Sequence, residues 1–92
     1  MEFVFDEQKN ERIFQLRGVT FQMVIEAIAE KGVLLNFSHP NQEKYPNQKV
    51  LVVNMNGYAY CVPYAVEGDR WILKTIFPSR KFKHLIRGNG NE

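Results

Sequence analysis

Lys49 to Phe77 reads KVLVVNMNGYAYCVPYAVEGDRWILKTIF, and its period of two marks it as sheet. Three β-rich runs, Val50 to Met55, Tyr58 to Glu67 and Arg70 to Phe77, are separated by Asn56-Gly57 and Gly68-Asp69, both compact hairpin signals. Three antiparallel strands in a meander follow. In the last run, alternation puts Arg70, Ile72, Lys74 and Ile76 on one side and Trp71, Leu73, Thr75 and Phe77 on the other, the second set reading as core. Along the middle run Tyr58, Tyr60, Val62, Tyr64 and Val66 oppose Ala59, Cys61, Pro63 and Ala65, a pattern that suits either side as the core face. Pro63 lacks an amide donor and is expected at a bulge or facing an unpaired edge.

Upstream the period lengthens. Phe3-Val4-Phe5 is a short strand candidate, and Asp6 is placed to cap a helix running to Arg17 and stopped by Gly18. Ile13 and Leu16 are its expected buried positions, with Phe14 on an adjoining face. Thr20 caps a second helix, in which Phe21, Val24, Ile25 and Ile28 fall at i, i+3, i+4 and i+7 and Gly32 ends the run. Val33 to Leu35 reads as a short strand, and Ser38 to Gln48, with Pro40 and Pro46, as a polar loop. The predicted fold is α+β: an N-terminal strand, two helices on one face, and an antiparallel meander of three to four strands whose other face stays open. Residues 1–87 form one domain in this reading, and 88–92 a frayed tail.

Size and composition agree with a folded domain. The chain has 92 residues, of which 45% are hydrophobic and 24% charged, values that argue against disorder. Its acidic start and lack of a long apolar stretch point to a cytoplasmic protein with no membrane segment. A lone cysteine, Cys61, lies in an apolar run and reads as a buried thiol.

The net charge of +2 is unevenly distributed. Residues 1–30 carry six acids against the bases Lys9, Arg12 and Arg17, whereas residues 31–92 carry nine bases against four acids. A basic C-terminal part suits a polyanion. Two distant histidines, His39 and His84, with a single cysteine, call for no metal, and no glycine-rich phosphate loop calls for a cofactor. What remains is a set of cations with interleaved rings: Lys44-Tyr45, Lys49, Tyr58, Tyr60, Tyr64, Lys74 and the run Arg80-Lys81-Phe82-Lys83-His84, followed by Arg87. Cations bind phosphates, tyrosines stack on unpaired bases and histidine moves protons near neutral pH. The same residues also fit plainer roles: a solvated basic tail, tyrosines packing a sheet, and His39 as a turn residue beside Pro40.

Two segments resemble a known family. Phe3-Val4-Phe5-Asp6-Glu7-Gln8-Lys9-Asn10, followed by Arg17-Gly18-Val19-Thr20-Phe21, is similar to the opening of BrnT-type toxins, an aromatic-x-aromatic-Asp-x-x-Lys run and then basic-His-Gly-Val-Ser-Phe. Ile72 to Lys83, with Ser79-Arg80-Lys81, resembles that family's closing strand and its Ser-x-Arg-Lys-type ending. Arg17 stands in place of the family's histidine, and the loop from His39 to Asn47 replaces a shorter, more acidic stretch. The related DUF4258 group shares the helix-helix-meander plan.

The resemblance implies a RelE-like fold and the toxin of a type II toxin-antitoxin system. Such a toxin is a growth-inhibiting endoribonuclease that uses the RNA's own 2′-hydroxyl and no metal. A cognate antitoxin, usually of ribbon-helix-helix type, neutralises it, and DNA is engaged only through that partner. The family's basic residues on the closing strand and just after it correspond to Lys74, Arg80 and Lys81, which implies that Arg80 stabilises the transition-state phosphate and Lys74 and Lys81 position the backbone; from the set of cations and rings, Tyr60, Tyr64 or His84 is expected to move a proton, and Lys44, Tyr45, Lys49 and Lys83 to bind RNA. Two other readings stay open: a non-catalytic protein whose basic face binds an antitoxin tail, operator DNA or RNA, and a housekeeping RNA-binding module.

Overall fold

The computed structural model describes residues 1–90, with side chains up to Ile86. β1 (Glu2–Val4) leads into α1 (Glu7–Arg17), which Asp6 caps by accepting from the N–H groups of Gln8 and Lys9 at 2.8 and 3.1 Å. Gly18, in the left-handed region at φ 73°, closes the helix by donating to the Phe14 carbonyl. Thr20 then caps α2 (Phe21–Lys31), its hydroxyl accepting from Met23 N–H at 3.2 Å.

The face that α1 buries differs from expectation. Ile13 is buried, but Leu16 is 73% exposed and Phe14 52%. Asn10 takes the remaining place in the stripe. Its Oδ1 accepts from the Phe21 N–H and its Nδ2 donates to Gln22 Oε1, both at 2.8 Å, so the buried amide is paired on both sides and caps α2 from a neighbouring helix. At about 100° per residue, a stripe centred on Asn10 and Ile13 turns Leu16 roughly 120° away from Asn10 and into solvent.

β2 (Leu35–Ser38), β3 (Gln48–Met55), β4 (Tyr58–Glu67) and β5 (Arg70–Leu73) complete a sheet of order β1-β5-β4-β3-β2. All neighbours are antiparallel except β1 and β5, which run parallel with Phe3 opposite Trp71. The third hairpin strand is therefore not the sheet edge at that end. Asn56 and Gly57, at φ 58° and 78°, form the β3–β4 turn with the two left-handed residues a tight hairpin needs. β2 starts two residues later than the apolar run Val33 to Leu35, because its register is set by β3, with Leu35 opposite Val52 and Phe37 opposite Val50.

The last strand is interrupted. β5 ends with Leu73 opposite Tyr64, and β6 (Phe77–Pro78) resumes with Phe77 opposite Cys61. The last strand thus advances four residues where β4 advances three, which is a bulge of one residue. Alternation inverts across it: Ile76 is fully buried in the core and Phe77 is 37% exposed, so the expected core set of Trp71, Leu73, Thr75 and Phe77 holds only for its first two members. Pro63 lies opposite this break. Its carbonyl accepts from Lys74 N–H at 2.8 Å, so its donorless nitrogen faces the side where pairing is disrupted.

Both faces of β3 and β4 are covered. Against the helices lie Leu51, Val53, Met55, Val62, Tyr64, Leu73 and Ile76, packed with Phe21 and Val24. On the opposite face Val50, Val52, Ala59 and Cys61 pack with Phe37, Phe82, Leu85 and Ile86. Phe82, Leu85 and Ile86 come from a 3-10 turn (Arg80–Phe82) and α3 (Lys83–Gly90), so the face expected to stay open is partly closed by the basic C-terminal segment. Two-sided burial explains why alternation along β4 fitted either side. Cys61 is buried, as its apolar run suggests. In the expected frayed stretch 88–92, α3 extends to Gly90, and residues 91–92 lie outside the described residues. No described helix is long and apolar enough to cross a membrane.

Candidate functional site

The break after β5 creates the main hollow. Pairing breaks after Lys74, and Lys74, Thr75 and Phe77 line a groove of about 580 Å³ together with Pro63, α1 and the β2–β3 loop. α1 supplies Lys9, Arg12 and Arg17. With Ile13 and Leu16, these recur at the three- and four-residue intervals of one helical face. Four cations therefore converge on one groove, no carboxylate is among its described lining residues, and none of the four enters an ion pair among the described residues. Like charges brought together without acidic partners hold a field that attracts polyanions.

The β2–β3 loop adds aromatic rings to the lining. His39 and Tyr45 line the groove with ring centroids 4.5 Å apart and a 41° tilt, and Lys44 places its Nζ 5.4 Å from the Tyr45 ring. Their loop is held by its own hydrogen bonds. His39 N–H donates to the Gln48 carbonyl at 3.0 Å, Tyr45 N–H to the Asn41 carbonyl at 2.9 Å, and Lys44 N–H to Asn41 Oδ1 at 3.1 Å. Asn41 N–H donates to His39 Nδ1 at 3.1 Å, which leaves the proton of the neutral ring on Nε2. His39 is thus the turn residue its position beside Pro40 suggested, and a groove residue as well.

A second hollow, of about 460 Å³, lies beyond β6. Ser79, Arg80, Lys83 and Ile86 line it against Gly57, Tyr58 and Ala59 at the start of β4. The expected cluster of Lys74, Arg80, Lys81 and Lys83 is thereby divided. Lys74 belongs to the groove, Arg80 and Lys83 to the second hollow, and exposed Lys81 lies with its Nζ 5.7 Å from the Phe82 ring. His84 is exposed in the first turn of α3, and the side chain of Arg87 lies outside the described residues.

The remaining expected site residues lie in the sheet. Tyr64 is fully buried, stacks on Trp71 at 4.5 Å and donates its phenol to Asn36 Oδ1 at 2.8 Å. Its burial puts Tyr64 out of reach of a dissolved substrate and pushes its pKa up, against a smaller lowering by Asn36, so it gives up its proton less readily than free tyrosine. Tyr60 is half-buried against the main core and tilted against Tyr58 at 5.7 Å. Lys49 is half-buried opposite Tyr64 in the β3–β4 register. Burial also raises the Cys61 pKa, opposed by a hydrogen bond with Ser79 and the charge of Lys81.

Sequence reading chose Lys74 and Tyr45 from this groove and passed over Lys9, Arg12, Arg17 and His39 as functional residues. The helical spacing of the three bases was the available signal, hidden because α1 belongs to the net-acidic part of the chain. No family model, curated protein or solved structure matches this chain.

Proposed function

We propose that this chain is the toxin of a type II toxin-antitoxin pair, an endoribonuclease that takes RNA in the Lys74 groove and is neutralised by a cognate antitoxin. One observation carries the reading. Lys9 and Arg17, from the opening motif that resembles BrnT-type toxins, meet Lys74, from the closing strand that resembles them, in one cationic groove. These residues are far apart in the chain, and a solvated basic tail gives no reason for them to converge.

In the proposed reaction the RNA's 2′-oxygen attacks the adjacent phosphorus and the bond to the 5′-oxygen breaks. The products are a 2′,3′-cyclic phosphate and a 5′-hydroxyl. The phosphorane carries more negative charge than the ground-state diester, so fixed cations stabilise the transition state more than the substrate. The 2′-hydroxyl proton must leave and the 5′-oxygen must gain one, and the ammonium groups of Lys9 and Lys74 carry protons that the groove can supply to the leaving oxygen.

The test is incubation of the purified chain with defined single-stranded RNA in the presence of a chelator. Cyclic-phosphate ends, lost in Arg12→Ala/Lys74→Ala, are the expected result, together with growth arrest on expression. Salt-sensitive binding without product would replace this reading with that of a non-catalytic RNA-binding protein. Neither binding nor product would remove both.

A further inference from the structure

The groove joins two surfaces of different chemistry, and the loop that builds the aromatic one is ordered in advance. Phosphate binding explains the cations but gives no use for a pair of rings in the same lining. His39 and Tyr45 have centroids 4.5 Å apart, and both line the groove. Gln42 Nε2 donates to the His39 carbonyl at 2.6 Å, which adds to the backbone bonds closing the loop at His39–Gln48 and Tyr45–Asn41. Rings fixed in this way lose little conformational freedom on binding, the condition under which stacking contributes most.

We infer that the His39–Tyr45 pair is a stacking platform for one unpaired nucleobase, and that it makes the groove select single-stranded over duplex RNA. The inference rests on the RNA-binding reading above and extends it to how the substrate is chosen. Three features fit this occupant. The cations that share the groove can hold the phosphates flanking a splayed base, whereas a duplex keeps its bases stacked and presents backbone alone. Lys44, beside the Tyr45 ring, adds a charge where a neighbouring phosphate would pass. The hydrogen bond from Asn41 to His39 Nδ1 leaves Nε2–H, which points along the ring plane, as a donor for a sugar or phosphate oxygen beside the stacked base. Tyr45 and His39 are therefore specificity-determining residues, distinct from the cations that set overall affinity.

The probes are a 2′-O-methyl RNA octamer, which cannot be cut by attack of its own hydroxyl, the same octamer with abasic central positions, and its duplex with a complement. Binding is read by fluorescence anisotropy at several salt concentrations. The wild-type chain should bind the intact single strand roughly tenfold more tightly than the abasic strand, in line with the loss of one aromatic–base stack. It should also prefer the single strand to the duplex. Tyr45→Ala should lose that factor for the intact strand, change nothing for the abasic one and leave the salt slope unaltered, since no charge is removed. Tyr45→Phe should restore the factor. Equal wild-type affinity for intact and abasic strands, or for single strand and duplex, would overturn the platform while leaving the cationic groove in place. The abasic comparison needs no variant, so misfolding of Tyr45→Ala cannot decide the result. Loss of binding to every probe would overturn the RNA-binding reading itself.

Discussion

The groove at Lys74 and the hollow at Arg80 flank the two-residue strand β6, both are cationic, and they are built differently. The hollow takes its cations from Arg80 and Lys83, neighbours on one terminal segment, set against the start of β4. The groove takes its own from α1 and from the broken end of β5, and adds rings from a third segment. Clustering of charge along a chain follows from composition alone. Convergence from distant segments onto a site that also holds aromatic rings requires the fold to hold like charges together against their repulsion, and for that reason the proposed function is placed in the groove.

The bulge that separates the two hollows gives the largest expected effect. Ile76→Ala should cost about 2–5 kcal/mol, as expected for a fully buried aliphatic side chain. Phe77→Ala, at a position partly open to solvent, should cost about 1 kcal/mol. Chemical denaturation measures both, and the reverse ranking would mean that the strand runs unbroken and that Lys74 does not turn into the groove.

The comparison is sharpened by paired charge removal. Arg12→Ala/Lys74→Ala should weaken RNA binding roughly 10- to 100-fold and lower the salt slope by about 1.4, close to 0.7 for each phosphate that is no longer neutralised. Arg80→Ala/Lys83→Ala should lose less than half of that in logarithmic terms. An equal or greater loss from the second pair, measured by salt titration, would move the site to the hollow.

Asn10→Ala tests what aims the helix that carries three of the groove cations. Removing the acceptor leaves the Phe21 N–H buried without a partner and should cost about 1–3 kcal/mol in denaturant unfolding. RNA affinity should fall with it, because Lys9 is next to Asn10 and Arg12 two residues beyond.

Alkaline pH offers the smallest effect. Burial raises the folded pKa of Cys61 above its ordinary value near 8.5. Above that pH the unfolded chain releases a proton that the folded chain retains, so stability should fall as pH rises from about 8.5 through the folded value. Tyr64 adds a similar fall above about 10. Unfolding midpoints measured across this range should decline less steeply in Cys61→Ala than in the wild type.

Local signals were legible in the sequence wherever a few adjacent residues act alone. Asp6, Thr20, Gly18 and the Asn56-Gly57 turn each satisfy or bend backbone within three or four residues, and all take their expected roles. The α+β plan, with two helices before an antiparallel meander, follows from periodicity in the same way. Tertiary structure alone decided the rest. The bulge shifts pairing by one residue and so exchanges Phe77 for Ile76 in the core, a change that alternation cannot signal because it assumes an unbroken strand. The closure of the second sheet face depends on Phe82, Leu85 and Ile86, whose apolar spacing is masked by Arg80, Lys81 and Lys83 between and before them. The groove was divided in the sequence between a net-acidic and a net-basic part of the chain. Only when α1 packs beside the broken strand do Lys9, Arg12 and Arg17 meet Lys74, because the field at a site depends on distance in space and sequence position sets no such distance.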